Sequence, residues 1–325
     1  MRSWRTALLL LAVLLLAADC ADGEDVDETP PPTVQAEATA SPTPADAPTL
    51  SLQVHHIDVG QGDATLIISP GGEVVMVDNG RWTNCSNTVS YLEELSISSI
   101  DYHFASHYHA DHIGCLDDLD AAGIRVTTAC YDRGGSFDSA TFDDYAATCG
   151  ELRQTVSQGQ VITLDQGAVT ITVINLDGAG ESTSEENALS LVLRLSYGAF
   201  DEVLAGDLTS EDPDIESIVA SQVGDVEVYK VNHHGSRFST NDAWLAGTTP
   251  DVAVISVGSN SFGHPTADAL TRLHEHGVQT YWTNGGSGVS ADPIWDRVGG
   301  TIVIEALPGS FTVSGTGFTD TYQNE

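Results

Sequence analysis

Lysine is almost missing from this chain: Lys230 is the single one among 325 residues. With 11 Lys and Arg against 47 Asp and Glu, the formal net charge is −36. The acidic residues run along the whole length, so the imbalance is not an acidic tail on an ordinary domain. Such a surface repels nucleic acid and anionic membranes at low salt. It suits work in concentrated salt, where that repulsion is screened. Long apolar runs are missing too: Ala7–Ala18 is about a dozen residues, too short to cross a bilayer comfortably as a helix. Cysteine is scarce, with five, and no Cys-x-x-Cys pair occurs, which argues against a thiolate metal site. No histidine lies between His112 and His233.

The amino terminus reads Met1-Arg2-Ser3-Trp4-Arg5, then the apolar run, then Asp19-Cys20. A basic start, a short apolar core and small residues near its end describe a secretory signal over residues 1–20. Cys20 resembles the acylated cysteine of bacterial lipoproteins, although Asp19 stands where a small residue is usual. Residues 21–49 are mostly Asp, Glu, Thr, Pro and Ala, the composition of a disordered acidic tether. From Leu50 the texture changes to short apolar runs punctuated by glycine, and residues 50–325 suffice for one large domain. The expected protein is exported, either secreted or held at a membrane by a lipid on Cys20. Setting Cys20 aside leaves Cys85, Cys115, Cys130 and Cys149, an even number that fits two disulfides. Of the three pairings, Cys130–Cys149 across a polar insertion and Cys85–Cys115 between two loops near the histidine cluster are favoured.

Potential chemistry is concentrated in Ser106-His107-Tyr108-His109-Ala110-Asp111-His112-Ile113-Gly114, with three histidines and one aspartate in six residues. Residues 100–105 read as a buried strand before it, and Leu116 and Leu119 begin a helix after it. The polar side chains then sit on a strand-to-helix turn at the mouth of a sheet. Neutral imidazole and carboxylate are ligands for Zn²⁺, Mn²⁺ and Fe²⁺. The spacing suggests His107 and His109 for one ion, Asp111 and His112 for a second. A histidine-rich surface loop is the bland alternative, but so dense a cluster has little structural reason to exist. His-x-His-x-Asp-His between a strand and a helix resembles the signature of the metallo-β-lactamase fold superfamily.

Other motifs extend the pattern. Val54–Val59 enters a glycine-flanked turn and leaves in the strand Thr65–Ile68, which reads as a hairpin. Asp63 in that turn either hydrogen-bonds loop amides near the metals or is an ordinary turn residue. Val74–Val77 is a strand ending in Asp78, which resembles the superfamily's first motif aspartate, supporting the histidine loop from behind. In two-metal members a third histidine completes the first site, a later aspartate bridges the ions, and a last histidine completes the second. The resemblance implies Asp207, after the strand Val203–Ala205, as the bridge. It implies His233 as the last histidine, with His234 close behind. The third histidine has no counterpart: Asn187 stands in its place, offering an amide oxygen unless a water fills the gap. Losing an imidazole favours oxygen-tolerant ions such as Mn²⁺ over Zn²⁺ at that site, and a single-metal enzyme is the alternative. His264 stands where the strand Val252–Ser256 hands over to the helix Thr266–His276. There it can hold an anion, protonate a leaving group, or simply pack at the helix start. His55, His56, His103, His274 and His276 read as structural or exposed. Residues 287–299 read as a loop insertion, and the strands Thr301–Leu307 and Ser310–Val313 close the second half.

Together with residues 58–63, 187–193, 206–208, 230–236 and 256–265, the histidine motif is similar to the extracellular metallo-β-lactamase domain of ComEC-type competence proteins. It is also similar to the stand-alone hydrolases related to them. The competence family often lacks histidine at the second cluster position, where His109 is present here. The multi-span channel of those proteins has no counterpart in the sequence, so a DNA-uptake role does not carry over automatically. The resemblance implies an α/β fold, a four-layer αββα sandwich of two mixed β-sheets with metals at one sheet edge. It implies one or two divalent ions (Zn or Mn) and hydrolysis of a phosphodiester, DNA or a nucleotide, through an activated water. Asp111 would orient that water, and His264 or His234 would donate to the departing or a phosphoryl oxygen. The expected partners are a small phosphodiester or DNA and, through a lipidated Cys20, a membrane. No protein partner is legible. A lactone, thioester or β-lactam hydrolase of the same fold stands second, a surface binding protein without turnover third. The few arginines weigh against a non-specific nuclease, an objection that high salt softens.

Overall fold

The structure is a computed structural model that describes residues 50–324. The expected signal at 1–20, Cys20 and the tether at 21–49 lie outside the described residues.

The first half of the domain runs β1 (Leu52–His56), β2 (Thr65–Ile68), β3 (Val74–Val77), α1 (Cys85–Glu94), β4 (Ser99–Phe104), α2 (Ala110–Ile113), α3 (Leu116–Ala121), β5 (Arg125–Asp132), α4 (Ala140–Cys149) and β6 (Arg153–Thr155). The second runs β7 (Val161–Leu164), β8 (Val169–Asn175), β9 (Val192–Tyr197), β10 (Phe200–Leu204), α5 (Ile215–Val223), β11 (Val228–Lys230), α6 (Asp242–Thr248), β12 (Val252–Ile255), α7 (Ala267–Glu275), β13 (Gln279–Trp282) and β14 (Asp296–Val298). The chain ends in β15 (Ile302–Leu307), β16 (Ser310–Gly315) and β17 (Phe318–Gln323). One sheet has nine strands in the order β17-β16-β15-β1-β2-β3-β4-β5-β6, the other eight in the order β14-β13-β12-β11-β10-β9-β8-β7.

The two-residue period of a strand explains why both faces of these sheets are apolar. Val75 and Val77 point between the sheets while Met76 points outward, and Val252 and Val254 point inward while Ala253 and Ile255 point outward. The inter-sheet core takes Leu52, Val54 and Ile67 from one sheet and Leu193, Leu195 and Val228 from the other. Outside, Leu92 of α1 and Leu119 of α3 cover the first sheet. Val219 of α5, Trp244 of α6 and Leu273 of α7 cover the second. This is the expected four-layer αββα sandwich. Each such fully buried side chain contributes roughly 1.5–3 kcal/mol before conformational entropy is subtracted.

Parallel pairing positions the site. β3, β4 and β5 are parallel neighbours, as are β10, β11 and β12, each joined through helices. Their carboxyl ends therefore open at one edge of each sheet, where crossover loops converge. The hairpin of β1 and β2 is antiparallel, as expected.

Four readings change or gain detail. The helix after the histidine motif is two short helices, α2 and α3, because the chain breaks at Gly114, where a Cβ would run into the Ala110 carbonyl and the Trp82 amide. The polar insertion between Cys130 and Cys149 holds α4, packed through Phe142 and Tyr145. Residues 287–299 are not all loop, since β14 pairs in parallel with β13. The closing strands do not stay with the second sheet: β15 pairs with β1, and β16 and β17 extend the first sheet beyond it. The disulfides are Cys85–Cys115 and Cys130–Cys149, the favoured pairs.

Candidate metal centre

Asp78 follows β3 with φ of 57°, a conformation that Asp tolerates better than most residues. Its carboxylate accepts from the Ser106 amide at 2.8 Å, the Ser106 hydroxyl at 2.7 Å and His112 Nδ1 at 2.8 Å. These bonds pin the start of the histidine loop and leave His112 Nε2 facing the other way. Since the Ser106 hydroxyl proton goes to Asp78, its oxygen can accept from His107 Nδ1 at 3.1 Å, which frees His107 Nε2. His107 Nε2 lies 3.0 Å from His109 Nδ1. Asp78 thus supports the loop from behind, as the resemblance implies.

The opposite wall comes from the second sheet. Gly206 precedes Asp207 with φ of 53°, and a Cβ there would meet Ser106 Oγ at 2.5 Å, so glycine lets the two loops touch. Asp207 reaches both sides of the cluster: Oδ1 is 3.2 Å from His112 Nε2 and 3.6 Å from His234 Nε2, and Oδ2 is 4.0 Å from His107 Nε2. His233 and His234 both adopt positive φ, 51° and 54°, and so diverge. His234 is buried, donates Nδ1–H to the Ser256 carbonyl at 2.8 Å, and brings Nε2 within 3.6 Å of Asp111. His233 is partly exposed, with Nε2 3.9 Å from Asp207 and 3.5 Å from the Asn187 amide.

Ligand atoms of His107, His112 and Asp207 lie within 4.8 Å of one another, as do those of Asp111, His112 and His234 and those of Asp63, Asp207 and His234. Asn187, His233 and His264 stand at the rim of a 340 Å³ cleft that His109, Asp111, Asp207 and His234 also line. The His264 ring sits 5.4 Å from that of His233 and 6.4 Å from that of His234. All the expected site residues thus gather at one mouth. The other five histidines have structural partners: His55 meets Tyr91, His56 Glu202, His103 Asn79, His274 Asp296 and His276 Asp242.

Asp63 departs from both sequence readings. Its buried carboxylate accepts no loop amide and instead pairs with Lys230 Nζ, with Oδ1 3.4 Å from His234 Nδ1. Lys230 also donates to the Gly206 carbonyl at 3.2 Å, so it ties the turn after β1 to the loop carrying Asp207. Sequence reasoning passed over Lys230, although a lone lysine inside the apolar run from Val228 to Val231 was a visible signal. Glu216 was also missed: from α5 it accepts from the Asn232 amide group and the Thr240 and Asn241 backbone amides, holding the His233–His234 loop.

The electrostatics favour a cation at the centre. Asp63, Asp78, Asp111 and Asp207 are four carboxylates in one cluster. Burial lowers the affinity of His234 for a proton, yet Asp207, Asp63 and Asp111 outweigh it and push the pKa up to about 10. Burial opposes protonation of His112 in the same way, and Asp207 and Asp78 drive its pKa well above the usual value. Asp207 is held well below the usual carboxylate range despite its burial, by His234, His112 and His233. His107, by contrast, is pushed far down by burial and by His112. Lys230 beside Asp63 and protons on two imidazoles are thus the compensation available from the chain itself. His112 Nε2, His234 Nε2, Asp207 Oδ1, Asp63 Oδ1 and Asn187 Oδ1 are buried and make no hydrogen bond. The 3.2 Å approach of His112 to Asp207 is off the hydrogen-bond axis. Bare imidazole nitrogens and carboxylate oxygens aimed at a shared space are the donor set that a divalent metal fits.

The family model described as the metallo-beta-lactamase superfamily matches residues 57–147, from the end of β1 through the Asp63 turn and the histidine loop into α4. The chain has the metallo-β-lactamase fold. It is 28% identical over 231 residues to Recombination protein 2 of Haemophilus influenzae, covering 69% of this chain and 26% of that protein. It is 25% identical over 255 residues to ComE operon protein 3 of Bacillus subtilis, covering 71% of this chain and 32% of that one. The metallo-β-lactamase-fold chain therefore spans between a quarter and a third of the length of these two relatives. A match over most of both lengths is with UPF0173 metal-dependent hydrolase H16_A2129 of Cupriavidus necator, 26% identical over 267 residues, 81% of this chain and 80% of that one.

Proposed function

We propose that this protein is an exported metal-dependent hydrolase that cleaves phosphodiester bonds, in DNA or in nucleotides. The observation that carries the reading is the pair of ligand sets, His107/His112/Asp207 and Asp111/His112/His234, which share His112, with Asp207 Oδ1 also 3.6 Å from His234 Nε2. The relative from Cupriavidus necator bears the name of a metal-dependent hydrolase. The relative from Haemophilus influenzae bears the name of a recombination protein, and the resemblance of the motifs to competence proteins turns the reading toward DNA and nucleotides.

His107, His109 and Asp207 would hold a first ion, with Asn187 at the place of the absent imidazole. Asp111, His112, Asp207 and His234 would hold a second, His234 being preferred to His233 because it is buried and closer to both aspartates. A bound divalent ion lowers the pKa of a water toward neutrality and polarises a phosphoryl oxygen. Asp111, partly open to the cleft, is placed to orient that water. His264 is pushed down to about 4 by burial and by His234 and His233. It therefore serves as a neutral imidazole that donates a hydrogen bond to a phosphoryl or departing oxygen, while its amide is anchored to Asn260 Oδ1 at 3.1 Å. The two disulfides accord with an oxidising, extracytoplasmic setting. Attachment through a lipid on Cys20 belongs to the same proposal.

The test offers end-labelled single- and double-stranded DNA beside a small chromogenic phosphodiester to the full chain, in high salt with Mn²⁺ or Zn²⁺. Asp207→Ala is the control. Metal-dependent cleavage lost in that variant is the expected result. A metal-loaded protein that cleaves none of these substrates would overturn the reading and promote the lactone, thioester and β-lactam hydrolases.

A further inference from the structure

The metal-ligand cleft does not end at His264. His233, Phe262 and His264 also wall a second cavity of 470 Å³, completed by residues that include Arg237 and Phe238. Exposed apolar side chains scattered singly need no explanation. Here the placement is not scattered. Among the described Trp and Phe residues three are exposed (Trp82, Phe238 and Phe262), and two of them lie on this trough. Phe262 is 65% exposed and leans over the His264 ring at an interplanar angle of 29°, with centroids 5.7 Å apart. The Arg237 guanidinium sits 4.4 Å above the Phe238 ring.

Arg237 and Arg81 are the two described arginines that make neither an ion pair nor a side-chain hydrogen bond, and Arg237 is the more exposed and the one on this trough. Lys230, Arg125, Arg133, Arg153, Arg194 and Arg297 each pair with a carboxylate, and Arg272 is taken up by backbone carbonyls. Arg237 is exposed, and among the described residues no carboxylate pairs with it; its guanidinium rests on the Phe238 ring. A cation that so many aspartates and glutamates leave alone is free to meet an anion from solution. Flat aromatic faces beside a guanidinium suit a base next to a phosphate, since any base can stack and the guanidinium forks onto phosphate oxygens. Bases inside a duplex are already stacked and present no free face. The net charge of −36 keeps a long polyanion from lying along the surface, so one or two nucleotides are engaged rather than a tract.

We infer that the trough beside the metal-ligand cluster is a nucleotide subsite: Phe262 stacks an unpaired base, and Arg237, seated over Phe238, takes the neighbouring phosphate. The inference rests on the phosphodiesterase reading and names its substrate class as unpaired DNA ends or short oligonucleotides. The test compares two diesters with one leaving group, thymidine 5′-(p-nitrophenyl phosphate) and methyl p-nitrophenyl phosphate, on the full chain in Mn²⁺ at fixed high salt. The wild type should prefer the nucleoside diester. Phe262→Ala and Arg237→Gln should each reduce that ratio of kcat/KM about tenfold, mainly through KM, and Arg237→Lys should restore part of it. A ratio unchanged in both Phe262→Ala and Arg237→Gln overturns the subsite.

If the wild type cleaves neither diester, the phosphodiesterase reading falls by itself. Binding of a fluorescein-labelled short oligothymidylate then judges the subsite separately. Anisotropy that rises with wild type, weakens in both variants, and is competed by single strands but not by duplex supports it. No binding, binding equal in the variants, or equal competition by duplex overturns it.

Discussion

Replacing Lys230 by methionine removes the charge that faces Asp63 while keeping most of the buried stem. Both side chains are nearly inaccessible, 2% and 4% exposed, so water cannot take over when the ammonium is lost. Breaking one half of a buried pair costs about 3–5 kcal/mol, because the remaining charge is left without its partner. His234 and His112, 3.4 and 3.7 Å from the Asp63 carboxylate, absorb part of that charge and place the expectation near the lower end, about 3 kcal/mol. For a domain of this size that is a fall in Tm of roughly 6–12 °C. Urea and thermal unfolding followed by circular dichroism in EDTA would measure it.

The sign with pH adds a second constraint. Burial raises the pKa of Asp63, but Lys230, then His234 and His112, hold it below the usual 3.8. Its stabilising contribution is therefore present above that value and is lost as pH falls through the lower folded one. In Lys230→Met the main opposing charge is gone and Asp63 protonates more readily. The deficit against wild type should then shrink below about pH 4. Removing both charges, in Lys230→Met with Asp63→Leu, should recover much of the loss. A deficit under about 1 kcal/mol at pH 7, or an equal deficit at both pH values, would refute the claim that this pair balances the cluster.

Added Mn²⁺ or Zn²⁺ should raise Tm over EDTA, by about 2.7 kcal/mol of stability at a hundredfold excess over Kd, and scanning calorimetry showing no shift would remove the metal centre. Asn187→His, which fills the place of the absent imidazole, should tighten Zn²⁺ binding at least about tenfold by isothermal titration calorimetry. Glu216, fully buried, is raised from 4.5 to about 7 by burial despite three donors, so it favours folding below pH 4.5 and loses that contribution as pH rises through 7. The loss is about 3 kcal/mol, and urea titrations should find it missing in Glu216→Gln. Changing Cys85 and Cys115 together to serine opens a loop with sequence separation 30 and should cost about 3.5 kcal/mol by chain entropy, read from the urea midpoint.

The local patterns of the chain determined its elements and the inventory of its site. Uninterrupted apolar residues in Val74–Val77 and Val252–Ile255 mark strands covered on both faces, and the polar residues just beyond them mark strand ends. Those signals lie within a few residues, so spacing alone carries them. Only the tertiary structure decided which of two adjacent histidines turns inward: the left-handed backbone at both His233 and His234 sends the second to Asp111 and Asp207 and the first to Asn187. It also decided that Asp63 answers Lys230, 167 residues away, rather than its own turn. The same holds for the last strands, which return to β1 instead of extending the second sheet. In each case the deciding partner is far along the chain, and the sheet pairings and helical crossovers between them bring it into reach.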